Sequence, residues 1–176
     1  MRHPLDFIPT NNRKPLFLSL LFLTLILFAV FRVLDAPLRT AAAPNGIVSF
    51  ELAGTTAKSQ AILASWDGRA QLFAAFGLGL DYLFMPAYAL TLSLGILLAA
   101  GRHAGAFAKV GAWLGWGALA AAFFDAVENF SLWQVMSGDF QALWPRLAAI
   151  CATVKFTLLL LGLAYALVGW LWPKQK

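Results

Sequence analysis

Four long apolar segments constrain the fold of this chain more than any other feature. A helix that crosses a bilayer needs about 20 mostly apolar residues, because each residue advances the helix by about 1.5 Å. Four segments reach that length, namely residues 15–34, 70–100, 110–135 and 145–172. The sequence therefore predicts an all-α integral membrane protein with four transmembrane helices in a bundle.

The composition agrees with a membrane protein. Of 176 residues, 61% are hydrophobic and 12% are charged, whereas soluble domains are about half apolar and about a quarter charged. The formal charge of +5 does not indicate nucleic acid as a partner, because the basic residues are scattered at the ends of apolar segments instead of forming one stripe.

Cysteine and histidine usage excludes several cofactor classes. The single cysteine, Cys151, lies inside an apolar segment, so an intrachain disulfide and a CxxC motif are both excluded. His3 and His103 lie outside the apolar segments, where they are poorly placed as axial ligands of an intramembrane haem. The ExxH pairs of di-iron bundles are missing. The sequence identifies no cofactor and no metal site.

The first apolar segment resembles a signal peptide in one respect, since it follows the basic residues Arg13 and Lys14. A signal-peptide core has about 7 to 15 apolar residues, and this segment is longer. We therefore predict a retained helix, preceded by a cytoplasmic segment at residues 1–14.

Basic residues predict the orientation. Seven of them fall on the side of the chain termini and five on the opposite side. The seven are Arg2, Arg13, Lys14, Arg102, Lys109, Lys174 and Lys176, and the five are Arg32, Arg39, Lys58, Arg69 and Arg146. By the positive-inside rule both termini are cytoplasmic, which makes residues 173–176 a cytoplasmic tail. The predicted location is the cell membrane, as in a bacterial inner membrane.

The longest connection, residues 35–69, contains a further helical pattern. Apolar and small residues recur at helical spacing between Ile47 and Trp66, bounded by the breakers PNG and DG. Strongly apolar residues are too few for a fifth span. We predict one short interfacial helix over residues 47–66 on the extracytoplasmic side, within a single domain of residues 15–172.

Polar residues interrupt the third apolar segment. The stretch FFDAVENFSLW places Asp125, Glu128 and Asn129 within five residues. Steps of three and four residues join two of them to a stripe of small side chains. The stripe comprises Gly111, Gly115, Ala118, Ala122, Asp125 and Asn129. Small residues let helices approach closely, so this face should point into the bundle.

Comparable stripes on the second and fourth segments contain one ionisable residue each, Asp81 and Lys155. With Asp125, these residues lie about ten positions from the outer end of their segments, which corresponds to roughly 15 Å and the middle of the hydrocarbon layer. Glu128 lies about one turn further out.

Charges at this depth are costly unless they are paired. We therefore predict that Lys155 pairs with Asp81 or Asp125, and that the Asn129 amide donates to a carboxylate. Three carboxylates facing one lysine leave an excess of negative charge, which predicts a bound proton or cation.

These patterns define the candidate site residues. The candidates for catalysis are Asp81, Asp125, Glu128 and Lys155, and those for ligand binding are Asn129, Tyr88, Tyr165 and Glu51. Glu51 belongs to the outer helix, where it lies either above the polar cluster as part of a lid or in solvent at the interface.

Three functions and one structural role fit this pattern. The preferred function is a membrane-embedded binding or catalytic module for an amphipathic, lipid-like molecule. The first alternative is an accessory or assembly subunit, because the GxxxG at Gly111 to Gly115 permits contact with a membrane partner or a second copy. The second alternative is proton or cation transport through the carboxylates. The structural role is a polar clamp that fixes helix register.

Overall fold

The computed structural model describes residues 1–173, which form helices joined by short connections. The elements are α1 (Thr10–Asp35), a 3-10 helix (Ala36–Leu38), α2 (Ile47–Glu51), α3 (Thr56–Ser65), α4 (Gly68–Ala100), α5 (Ala106–Met136) and α6 (Leu143–Leu171). Four of these, α1, α4, α5 and α6, are long and apolar enough to cross a membrane. The predicted all-α class and its four long apolar helices are confirmed. The predicted cytoplasmic tail comprises residues 173–176. Of these, only Pro173 is among the described residues.

The prediction of one continuous helix over residues 47–66 is wrong, and the interfacial position of this region stays a prediction. The segment forms two helices, α2 and α3, separated by residues 52–55. α2 ends at Glu51, and Gly54 in the connection adopts a φ of 68°, a non-helical conformation that glycine takes at little cost. Thr55 then starts α3, since its side chain accepts a hydrogen bond from the Lys58 amide at 3.3 Å.

The described chain divides into two compact units, and each of the four long helices contributes residues to both. The first unit comprises residues 1–25, 86–123 and 155–176. Residues 174–176 lie outside the described part of the chain. The second unit comprises residues 26–85 and 124–154.

In the first unit, glycines and alanines let large side chains pack against helix backbones. A β-carbon at Gly111 would meet the Tyr165 hydroxyl, and one at Gly169 would lie 2.9 Å from the Ala99 β-carbon. Tyr165 donates to the Phe107 carbonyl at 2.8 Å. The parts of the predicted stripes that contain Gly111, Gly169 and Tyr165 are therefore packing faces of this unit.

The N-terminal segment packs against the same unit. Leu5 joins a core cluster with Leu94 and Leu97, and the His3 ring occupies the space that a side chain at residue 115 would need. Burial lowers the pKa of His3 to about 4, helped by Arg13 and opposed by Asp6 and the backbone of Ser93. The ring is therefore neutral near pH 7, and it buries no charge.

The second unit contains a core built from the α2 and α3 region and parts of three long helices. Phe50, Ile62 and Trp66 pack with α4 residues such as Leu78 and with Leu132 of α5. The Trp66 indole also donates to the Leu38 carbonyl at 2.8 Å. The connection between the first two long helices is thus part of the core and positions the residues described below.

Candidate functional site

The best-defined part of the candidate site is a hydrogen-bonded junction between α4 and α5 in the second unit. The Asn129 amide nitrogen donates to Asp81 Oδ2 at 2.9 Å and to the Leu78 carbonyl at 3.1 Å. A side-chain amide has two N–H donors. Both acceptors of the Asn129 amide belong to α4. The predicted bond between Asn129 and a carboxylate is confirmed, and it joins the two helices at two points.

The α5 polar residues face the protein interior, as helical spacing predicts. Asp125 and Asn129 are each 2% exposed, and Glu128 is fully buried. Asp81 on α4 is partly buried. In contrast, every lysine and arginine of the second unit, residues 26–85 and 124–154, is exposed. Among the acidic and basic residues of this unit, the buried ones are therefore acids.

Tyr82 is part of the junction, although helical spacing did not select it. Its hydroxyl donates to the Ala126 carbonyl of α5 at 3.3 Å. Tyr82 lies one residue after Asp81 and therefore off the predicted stripe, and half of its surface is exposed. The Leu78 carbonyl was missed because backbone groups carry no sequence signal. The position of Tyr82 beside Asp81 was the only available hint.

Glu51 is not the solvated interfacial residue that one interpretation of the sequence allowed. It is 9% exposed and ends α2. Its neighbour Phe50 belongs to the core cluster that contains Leu78 and Leu132, which lie near the Asn129 hydrogen bonds on α4 and α5. Glu51 is therefore buried in the second unit, and its position above the polar cluster as part of a lid stays a prediction.

Three other predicted site residues belong to the first unit. Lys155 is 5% exposed, and its Nζ lies 4.7 Å from the centroid of the Phe156 ring. Tyr165 stacks on Phe107 with ring centroids 4.3 Å apart, and Tyr88 is buried. The ion pair between Lys155 and Asp81 or Asp125 stays a prediction. Tyr165 has a packing role in its unit.

The buried acids could in principle be ligands of a metal ion. Within residues 1–173, no group of three histidine, cysteine, aspartate or glutamate side chains is arranged to hold a metal ion. The geometry of Asp81 and Asn129 is that of a clamp between helices, in which an amide orients a carboxylate. Asp81 and Asn129 thus hold α4 and α5 together by hydrogen bonds.

An open cavity of about 630 Å³ lies elsewhere in the second unit. Its lining combines apolar side chains with a polar group of hydroxyls, one acid and one guanidinium. The lining residues are Val33, Ala36, Pro37, Thr40, Ser65, Asp67, Arg69, Ala70 and Phe73. The sequence did not predict this cavity, because its lining comes from two stretches of the chain, residues 33–40 and 65–73, whose approach depends on tertiary packing.

Hydrogen bonds fix the frame of the cavity. The Ile47 amide donates to Asp35 Oδ1 at 2.8 Å, which joins the end of α1 to α2. The hydroxyls of Thr40 and Ser65 lie 2.7 Å apart and join the segment after the 3-10 helix to the end of α3. The cavity is thus held by ordered backbone and side-chain contacts.

Comparison of the chain with protein-family models, with curated proteins and with solved structures finds no match.

Proposed function

We propose that this protein is a membrane-embedded binding module for an amphipathic, lipid-like molecule, which occupies the cavity of the second unit. The observation that carries the proposal is the composition of that cavity. Its volume of about 630 Å³ falls within the range of about 300 to 1,000 Å³ that is typical of ligand sites. Apolar and charged groups share its lining, as an amphipathic ligand requires.

The position of the cavity in the chain supports the same proposal. Its walls are the last turn of α1, the 3-10 helix and the first turns of α4. The ends of membrane-spanning helices lie at the depth of lipid headgroups, where apolar and polar environments meet. A lipid-like molecule at these helix ends would place its polar group beside Arg69 and its chain beside Val33 and Phe73.

In this proposal, the hydrogen-bonded junction of Asn129 and Asp81 stabilises one wall of the cavity. Asn129 and Asp81 fix α4 against α5, and α4 continues to the cavity wall at Ala70 and Phe73. A rigid wall lowers the cost of ordering a bound molecule. Catalysis by Asp81, Asp125, Glu128 and Lys155 stays a hypothesis, and the binding proposal does not depend on it.

A substitution that fills the cavity with a large side chain tests the proposal. Ala36 is exposed and lines the cavity, whereas Ala29 is an exposed alanine of α1 outside the lining. We expect Ala36→Trp to remove a lipid that is retained by the wild type and by the matched control Ala29→Trp. Native mass spectrometry after mild-detergent extraction measures the bound mass directly. Equal lipid retention by all three proteins would contradict the proposal.

The accessory-subunit alternative loses part of its basis. Gly111 and Gly115, the GxxxG pair, face Tyr165 and His3 of the same unit and are both buried. Exposed apolar surface remains for a partner, above all on α1, in which only Leu27 is buried, and also on the other long helices, for example at Trp113 and Leu160. The same mass measurement reports a second chain bound to it, and that result would favour the alternative.

A further inference from the structure

The hydroxyl groups of the cavity are already committed to the protein. Ser65 donates its hydroxyl hydrogen to the Ile62 carbonyl at 2.7 Å. The short contact between Thr40 and Ser65 must then use the Thr40 hydrogen, because each hydroxyl has one donor. Neither residue has a hydrogen left for a ligand, so these hydroxyls offer only acceptor positions.

The two charged residues of the lining are not committed to each other. Asp67 Oδ1 accepts from the Ala70 amide at 2.7 Å and thereby caps α4, which leaves Oδ2 available. The Arg69 guanidinium lies 5.5 Å from the centroid of the Phe73 ring. Within residues 1–173, Arg69 takes part in no ion pair, whereas Arg39 of the same unit is paired with Asp35 at 3.1 Å.

The cavity therefore presents one available carboxylate oxygen and one available guanidinium. A guanidinium matches the geometry of a phosphate group and binds it through several N–H donors. A carboxylate oxygen accepts hydrogen bonds from an ammonium group. A ligand with only negative charge would place that charge beside Asp67, and a ligand without charge would gain no ionic contact from either of these exposed residues.

We propose that the cavity selects a zwitterionic phospholipid headgroup, with the phosphate at Arg69 and the ammonium at Asp67 Oδ2. This inference rests on the proposed function, since it specifies the polar end of the lipid-like ligand. The acyl chains lie against Val33, Pro37 and Phe73.

Two conservative variants separate the two charges. Asp67→Asn retains an N-cap, because asparagine caps helices as well as aspartate does, but it removes the ammonium partner. Arg69→Gln removes the phosphate partner. Arg146→Gln is the matched control, since Arg146 is an exposed arginine of the same unit outside the cavity lining.

The experiment is a lipid competition in detergent, read by native mass spectrometry. The purified protein receives equal amounts of phosphatidylethanolamine, phosphatidylglycerol and diacylglycerol with identical chains. We expect the wild type and Arg146→Gln to bind phosphatidylethanolamine best. Each lost charge contact should reduce binding about two- to fivefold, the size of an exposed ion pair.

The variants should differ in pattern. In Asp67→Asn the preference for phosphatidylethanolamine over phosphatidylglycerol should disappear, and in Arg69→Gln both phospholipids should lose affinity while diacylglycerol does not. An unchanged order of the three lipids in both variants would overturn the headgroup assignment. If Ala36→Trp still displaces lipid in that case, the proposed function stands and only the headgroup inference fails.

A soluble competitor distinguishes a lipid from a free zwitterion. Glycerophosphoethanolamine carries the same phosphate and ammonium without acyl chains. We expect it to displace phosphatidylethanolamine only at far higher concentration, because it lacks the apolar contacts. Displacement at equal concentration would show a site for a soluble zwitterion and overturn the proposal.

Discussion

At the scale of single residues, Asn129 is the most informative side chain. Its amide satisfies a partly buried carboxylate and a backbone carbonyl on another helix. Among the polar residues of FFDAVENFSLW, it is the one whose side chain is seen to bond α5 to α4, whereas the Ser131 hydroxyl donates within α5 to the Val127 carbonyl at 2.7 Å. Asp125 and Glu128 share its burial, and their catalytic role stays a hypothesis.

Removing the Asn129 amide should weaken the junction between α4 and α5. We expect Asn129→Ala to lower the free energy of unfolding by about 1 to 2 kcal/mol, because Asp81 and the Leu78 carbonyl lose a buried donor. Titration with SDS from a mild detergent, followed by circular dichroism, measures this change. Asn11→Ala is the control, since Asn11 is exposed. A loss no larger than in this control would show that the clamp carries no stability.

At the scale of helices, small residues matter only where a neighbour uses the space. On α5, Gly111 faces Tyr165 and Ala100 closely, whereas a β-carbon at Gly117 would lie at an ordinary distance of 3.5 Å from Leu158 Cδ2. The sequence presents both as glycines in an apolar helix. Their different environments are a consequence of packing.

These two glycines provide a matched pair of substitutions. We expect Gly111→Ala to destabilise the protein by about 1 to 3 kcal/mol, because the new methyl group meets Tyr165 and Ala100. Gly117→Ala should stay within about 1 kcal/mol of the wild type, and alanine favours the helix there. Thermal unfolding in one detergent compares them. Equal shifts would contradict the role assigned to the Gly111 contact.

Secondary-structure boundaries show the same limit of local information. Helical periodicity correctly placed helical residues between Ile47 and Trp66, but it did not reveal the break at residues 52–55. Periodicity continued through Gly54, and the positive φ of that glycine depends on how α2 and α3 pack into the core. The break therefore had no clear signal in the apolar pattern.

At the scale of the whole molecule, the orientation in the membrane is a prediction from basic residues alone. The four helices are long and apolar enough to span a bilayer, and the excess of basic residues near the termini predicts that both termini are cytoplasmic. Lys58 and Lys109 are exposed residues that this topology assigns to opposite sides.

Labelling of introduced cysteines checks this topology. In intact cells, a membrane-impermeant maleimide should modify Lys58→Cys and spare Lys109→Cys, and permeabilised cells should show both. The native Cys151 is 3% exposed, so the wild type provides an unlabelled background. The reverse pattern would place the termini outside the cell. Labelling of both variants in intact cells would show that residues 58 and 109 lie on the same side of the membrane, which contradicts the predicted topology.

The sequence by itself determined the long apolar helices and the faces that carry Asp81, Asp125 and Asn129, because length and helical periodicity are local properties. Tertiary structure alone decided the partners of Asn129, the two helices in place of one at residues 47–66, and the cavity beside Arg69. These features join residues that are distant in the chain. Their approach depends on packing among several helices, which no local pattern encodes.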